Sequence, residues 1–209
     1  LACALGNTSL RIGVIDSAEA PVVSPDEEFD IRVSAITRAT EKVFAGIGAW
    51  EGMVRRRVEA YSRMHVWDAT GSGSIHFDCA DIGEQSLGHI IENKVILAAL
   101  LERMAEFGNI ELICPAQVVT LERSADSAVL MLDDGRRLES RLVVGADGAN
   151  SWVREQAGIS TTGWAYDQTA VVATIKTSKH HQDACWQRFM PSGPLAFLPL
   201  PRGLSSIVW

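Results

Sequence analysis

Leu142-Val143-Val144-Gly145-Ala146-Asp147-Gly148-Ala149-Asn150-Ser151-Trp152-Val153-Arg154 decides how the fold is read. Three branched apolar residues run into Gly-Ala-Asp-Gly and then into a helix start at Trp152, a strand–turn–helix pattern. The two glycines stand where backbone must approach something closely. Asp147 sits just ahead of helical N–H groups, which favour anions. Taken alone, an ordinary turn with an acidic cap explains the stretch equally well.

The same alternation continues to either side. Upstream, Val118 to Glu122 and Ala128 to Leu132 read as strands. A turn at Asp133-Asp134-Gly135 then leads into a strand over Arg137 to Val144, giving a hairpin. Ile110 to Cys114 is a strand preceded by the best helix of the chain, Asn93 to Phe107. There Val95, Ala98, Ala99, Leu101 and Met104 recur at helical spacing and Gly108 is the stop. Leu1 to Leu5 reads as a helix end before Gly6, Leu10 to Ile15 as a buried parallel strand closing on Asp16, and Pro21 to Pro25 as a loop. Ile31 to Ile36 leads into a helix over Thr37 to Ile47 with Ala39, Val43, Phe44 and Ile47 on one face. Met64 to Trp67 and Ser74 to Phe77 alternate about Gly71-Ser72-Gly73 as a hairpin. Beyond Gly158, Ala170 to Lys176, Cys185 to Met190, Ala196 to Leu200 and Ser205 to Trp209 read as strands of another sheet. The fold class is therefore α/β, joined to a sheet-rich part.

Composition narrows the partners. The net charge of −7 and the lack of any basic cluster longer than Arg55-Arg56-Arg57 argue against nucleic acid, and that run reads as a solvated helix face. Cys3, Cys79, Cys114 and Cys185 have no C-x-x-C spacing, which suits small buried roles in a reducing compartment better than disulfides or zinc. His180-His181 are adjacent, point to different sides, and read as a surface turn, so no metal is expected. No apolar run approaches the ~20 residues of a spanning helix. The chain starts at Leu1 without methionine or signal sequence and reads as an internal segment of a longer protein.

Asp16 closes a strand that suits the second strand of a nucleotide-binding βαβ unit, where an acid accepts hydrogen bonds from adenosine ribose. The glycine-rich loop that goes with it is expected about 20 residues upstream, before Leu1. By itself Asp16 reads as an ordinary strand-ending acid that starts a turn.

In order along the chain stand Val14-Ile15-Asp16, Arg32-Val33-Ser34-Ala35-Ile36, Glu92-Asn93, the string from Gly145 to Arg154, Phe197-Leu198-Pro199-Leu200 and Ser206-Ile207-Val208-Trp209. This order resembles the flavoprotein aromatic hydroxylases, and among them the ubiquinone-biosynthesis hydroxylases, over essentially the whole chain. The resemblance implies an incomplete Rossmann-like FAD-binding domain over 1–60 and 80–160. It implies an incomplete substrate-binding sheet over 61–79 and 161–209. Asp16 would hold the FAD ribose, Arg32 the pyrophosphate or ribityl chain, and Asn93 the ribityl chain, while Val118 would touch adenine through its backbone. Asp147 and Gly148 would serve flavin and NAD(P)H binding, with Arg154 supporting their loop. Leu198, Pro199 and Trp209 would lie at the substrate cavity. Each has a plainer alternative: a surface ion pair for Arg32, a helix cap for Asn93, core for Val118 and for the six tryptophans.

The chemistry implied is borne by the cofactor. NAD(P)H reduces FAD, and the reduced flavin carries O₂ as a C4a-hydroperoxide to the ring of a prenylated phenol or quinol; no catalytic side chain is assigned. Two rivals are an FAD-dependent isoprenoid reductase or epoxidase of the same fold, and a non-catalytic assembly component. The expected location is cytoplasmic. The lipid-tailed substrate leaves open peripheral contact with the inner face of the membrane and docking into a ubiquinone-pathway enzyme complex. With the glycine-rich loop and a downstream G-D-A-x-H region outside it, this chain alone is expected to hold FAD weakly or not at all. A stoichiometrically yellow purified chain would contradict that.

Overall fold

The computed structural model describes residues 1–24 and 27–209; Pro25, the last residue of the expected loop, lies outside the described residues. After a short 3-10 turn over Ala2–Leu5, the first elements are β1 (Ile12–Ile15), β2 (Val33–Thr37), α1 (Arg38–Gly46) and α2 (Trp50–Val54). There follow β3 (Glu59–Tyr61), β4 (Arg63–Asp68), β5 (Ser74–Asp78), β6 (Gly88–Glu92) and α3 (Asn93–Met104). Next come β7 (Ile110–Ile113), β8 (Val118–Arg123), β9 (Ala128–Leu132), β10 (Arg137–Ser140) and α4 (Trp152–Gln156). The chain closes with β11 (Val172–Lys176), β12 (Ala184–Phe189), β13 (Leu195–Leu200) and β14 (Leu204–Val208). These elements form two compact units. One comprises Leu1–Thr8, Ala20–Gly108 and Thr169–Trp209; the other comprises Ser9–Glu19 and Asn109–Gln168.

In the smaller unit β1 pairs in parallel with β7, Val14 opposite Leu112, as the apolar run before Asp16 predicts, but no residue of β1 is buried as expected and Leu10 is exposed. β8, β9 and β10 form an antiparallel meander, with the Asp-Gly turn between the last two. Its core is Ile113, Ala116 and Leu132, joined by Ile15, Val118 and Leu138. The expected strand through Val144 stops at Ser140. Leu142 is 77% exposed and Val144 54%, and no described strand pairs with this stretch. Branched apolar residues favour a strand only where a neighbour supplies the ladder, and here none does.

In the larger unit β2, β6 and β3 form a three-stranded antiparallel sheet with β6 at the centre. β6 is buried on both faces. Ile91 packs with Ile36, Met53, Val95 and Ala99 beneath the helices, while Ile90, next to it, packs with Cys185 and Leu200. The helical spacing of α3 is explained by this packing, since Val95, Ala98, Ala99 and Met104 are its buried residues. In α1 the Thr37 hydroxyl accepts from the Thr40 N–H as N-cap, and Phe44 joins the core with Ile47 just beyond. Ala39 and Val43 depart from expectation: both are exposed, because the face that meets the core is narrower than its sequence pattern suggested.

The second sheet of this unit has six strands in the order β11-β14-β13-β12-β4-β5. Every neighbouring pair is antiparallel except β12 and β4, which run parallel with Trp186 opposite His65. Strands from 61–79 and from 172–208 share one sheet. Burial pushes the Cys185 thiol up to about 12, so it stays a protonated apolar member of this core. No described helix is long and apolar enough to cross a membrane.

Because Ile90 and Ile91 face separate cores, Ile90→Val and Ile91→Val are each expected to cost about 1 kcal/mol. The double variant is expected to cost close to the sum, since the two side chains share no packing partners. Urea denaturation of the four proteins checks this.

Candidate functional site

Arg32 and Asn93 meet at one corner of the larger unit. Arg32 precedes β2 and Asn93 opens α3, so the pairing of β2 with β6 brings the two together. The Asn93 N–H donates to the Arg32 carbonyl at 2.9 Å, and Ser34 Oγ donates to Asn93 Oδ1 at 2.6 Å. The amide nitrogen of Asn93 remains as a donor. Asn93 does not cap its helix; the N-cap is Glu92. The Arg32 guanidinium is exposed and enters no ion pair among the described residues. Its backbone is fixed by Arg32 N–H donating to Asp30 Oδ1 at 3.0 Å.

The basic run beneath this corner is not a solvated face throughout. Arg55 and Arg56 do pair with Glu102 on the surface. Arg57 turns inward, 8% exposed, against Glu92, 2% exposed. Sequence alone gives three equal arginines. Arg55 and Arg56 form the turn that ends α2, whereas Arg57 lies beyond it, where the chain leads into β3.

In the smaller unit Asp16 sits exposed at the carboxyl end of β1, its Oδ1 accepting from the Ala18 N–H at 2.9 Å. Val118 starts β8 with its side chain in the core, so only its backbone is available to a ligand. Asp147 is turned to its own helix: one carboxylate oxygen accepts from Ser151 Oγ and the other from the Val153 N–H at 3.0 Å. Ser151 in turn accepts from the Arg154 N–H at 3.0 Å as N-cap of α4. The N–H groups expected to face an anion are thus occupied by the protein itself. Gly148 has φ +84°, a left-handed conformation that an L side chain rarely adopts, and open space where a Cβ would stand. Gly145 is needed for a different reason, since a Cβ there would press on Val153. The Arg154 guanidinium donates to the Ala149 carbonyl at 2.9 Å, holding the loop. Ser151 is the functional partner the sequence reading passed over, although a serine just ahead of a helix is itself a cap signal.

The three substrate candidates separate. Leu198 packs in the core with Ile90 and Cys185, Pro199 is buried, and Trp209 is 50% exposed, its backbone paired with Val171. On the β4–β5 hairpin, His65 and His76 stand directly opposite with their Nδ1 atoms in contact. Trp186 stacks on His65 with ring centroids 4.3 Å apart, and with Trp67 they line a hollow of about 320 Å³. Burial, then the neighbouring His76, holds the His65 imidazole below its ordinary range. His181 proves buried, contrary to the surface turn expected of it. Together with His180 and Asp183 it offers clustered ligand atoms. However, its Nε2 lies 3.1 Å from the Leu200 carbonyl and its Nδ1 accepts from the Asp183 N–H, so the ring is bonded within the fold.

The chain belongs to the FAD binding domain family, which it matches over residues 3–209. Among its relatives is the 3-demethoxyubiquinol 3-hydroxylase of Escherichia coli (strain K12), 34% identical over 209 residues, covering all of this chain and 53% of that protein. The mitochondrial ubiquinone biosynthesis monooxygenase COQ6 of Homo sapiens is 36% identical over 231 residues, covering all of this chain and 47% of that protein. The chain therefore spans about half the length of the curated relatives it matches. The fold is shared with the p-nitrophenol 4-monooxygenase PnpA from Pseudomonas putida DLL-E4, at TM-score 0.80 and 18% identity over all of this chain and 53% of that one.

Ser151→Ala removes the α4 cap and is expected to cost about 1 kcal/mol by urea denaturation. The Ser151 hydroxyl, and then the Val153 N–H, hold the Asp147 carboxyl below the usual carboxylate range. A depressed folded value means this contribution is complete above about pH 4 and is lost as pH falls through the lower value. Asp147→Asn is expected to flatten the acid side of the stability profile, measured by unfolding between about pH 5 and pH 2.

Proposed function

We propose that this chain is part of an FAD-dependent NAD(P)H:O₂ monooxygenase that hydroxylates the aromatic ring of a prenylated phenol or quinol in ubiquinone biosynthesis. The observation that carries the reading is the corner where Asn93 and Arg32 are bonded to each other through the backbone and still present an amide donor and an unpaired guanidinium outward. That donor set suits a polyhydroxyl chain beside a pyrophosphate, because a guanidinium fork matches phosphate oxygens. Support also comes from relatives named as hydroxylases and monooxygenases of ubiquinone biosynthesis, matched along the whole chain.

Each unit by itself offers groups that suit a part of FAD. Asp16 would accept from the ribose hydroxyls, Arg32 would neutralise the pyrophosphate, and Asn93 would donate to the ribityl chain. Val118 would offer backbone to adenine, and the open space at Gly148 would admit a phosphate or ribityl group close to the backbone. Asp147 serves this by fixing the loop, with both of its oxygens already engaged. When bound, FAD supplies electron transfer from NAD(P)H and oxygen activation. The chain's own part is to bind, orient and keep water from the reacting ring. Of the substrate candidates, Trp209 is the one exposed enough to meet a ring, while Leu198 and Pro199 would act by shaping the sheet beneath it. A lipid-tailed substrate suits peripheral contact with the membrane and docking beside other enzymes of the same pathway.

The test uses the natural full-length protein with NAD(P)H, isotopically labelled dioxygen and a prenylated phenol. One labelled oxygen on the ring is the expected product, and a reduced or epoxidised prenyl chain overturns the reading. Asp16→Ala and Arg32→Ala are each expected to weaken FAD binding by about tenfold, equivalent to about 1.4 kcal/mol.

A further inference from the structure

Glu92 occupies the N-cap of α3, where a carboxylate ordinarily bonds the free helical N–H groups, and makes no such bond. It turns away into the fold. Its Oε1 accepts from Arg57 Nη2 at 3.1 Å and from the Asp30 N–H at 2.7 Å, with Lys94 Nζ 3.6 Å away. Arg57 Nε lies 2.9 Å from Oε2, off the hydrogen-bond line but close in charge. Arg57 also donates to the Glu27 carbonyl at 2.7 Å and lies 4.5 Å above the Phe29 ring. Lys94 pairs with the Glu27 carboxylate. Every arm of this cluster reaches the segment 27–30, which leads directly into Arg32.

From there a chain of bonds runs to the proposed flavin contacts. Glu92 holds the Asp30 N–H, and Asp30 Oδ1 holds the Arg32 N–H at 3.0 Å. The Arg32 carbonyl then holds the Asn93 N–H at 2.9 Å, one residue beyond Glu92. The ring of contacts closes on itself. A buried ion pair is a weak device for stability, since apolar residues of the same volume commonly serve as well. What it does supply is a fixed geometry.

We propose that Glu92, neutralised by Arg57, is a positioning residue that sets Arg32 and Asn93 for the flavin through Asp30. This rests on the FAD reading above. Glu92 is turned into the fold, so it acts on affinity through the two residues it braces.

The experiment measures FAD dissociation constants of the full-length apoprotein by flavin fluorescence, with thermal unfolding alongside. Glu92→Leu removes both charge and acceptor, Glu92→Gln keeps an oxygen for the Asp30 N–H, and Asp30→Ala cuts only the link to Arg32. Glu92→Leu and Asp30→Ala are expected to weaken FAD about tenfold, and Glu92→Gln less than about threefold even though its melting temperature falls. In an Arg32→Ala, Asn93→Ala background Glu92→Leu is expected to add nothing further, the signature of action through those residues. Should Glu92→Leu fail to fold, Asp30→Ala carries the same expectation with the buried pair intact. Wild-type affinity in Asp30→Ala, or an undiminished Glu92→Leu effect without Arg32 and Asn93, overturns this proposal alone. A wild-type protein that takes up no FAD overturns the FAD reading and this proposal together.

Discussion

A carboxylate with 2% of its surface exposed must be paired, and the pairing of Glu92 with Arg57 constrains much around it. Glu92 ends β6, the strand with a separate core on each face. The residue before it, Ile91, is locked under the helices, and the residue after it begins α3. A one-residue shift in β6 register would carry Glu92 away from Arg57 and move Ile90 and Ile91 to the wrong cores. Charge pairing and apolar packing therefore select the same register, and the loop before Arg32 inherits its position from that choice.

The proposed cofactor residues illustrate two ways of presenting a group to a ligand. Arg32 and Asn93 project side chains from a braced backbone, so their geometry is set by the strand pairing behind them. Gly148 presents backbone instead, and the side chains around it, Asp147, Ser151 and Arg154, are engaged with the loop itself. In the second arrangement the acidic residue of the motif is a strut, and any surface offered to a ligand would belong to its glycine neighbour.

Much of the fold was legible because the decisive signals were local. The apolar run closing on Asp16, the hairpins about Gly71-Ser72-Gly73 and Asp133-Asp134-Gly135, and the spacing in α3 each depend on neighbours in sequence. The departures depend on distant partners. Leu142 to Val144 has strand composition and no partner to pair with. Arg57 differs from Arg55 and Arg56 through partners distant in sequence, Glu92 35 residues on and the Glu27 carbonyl 30 residues back. His181 is buried by the Leu200 carbonyl and its surroundings, which no local pattern announces. At the candidate site, residue types and order pointed to Arg32 and Asn93. Ser34 and Glu92, which fix them, emerged only once β2 and β6 were seen side by side.

The parallel contact of β4 with β12 has a consequence for the order in which the chain folds. Ser62 reaches Asp183 across 121 residues of sequence, and the whole smaller unit save for its first strand is threaded between. The six-stranded sheet therefore cannot close until synthesis has passed β14, and the long loop between β4 and β12 makes that step entropically slow. Until then the β4–β5 hairpin keeps an open edge beside Trp67 and Met64, the kind of edge that recruits stray strands. A nascent chain of this design is most exposed to misassembly in that interval, when the β8–β9–β10 meander has the local contacts to form and the larger unit still awaits its last four strands.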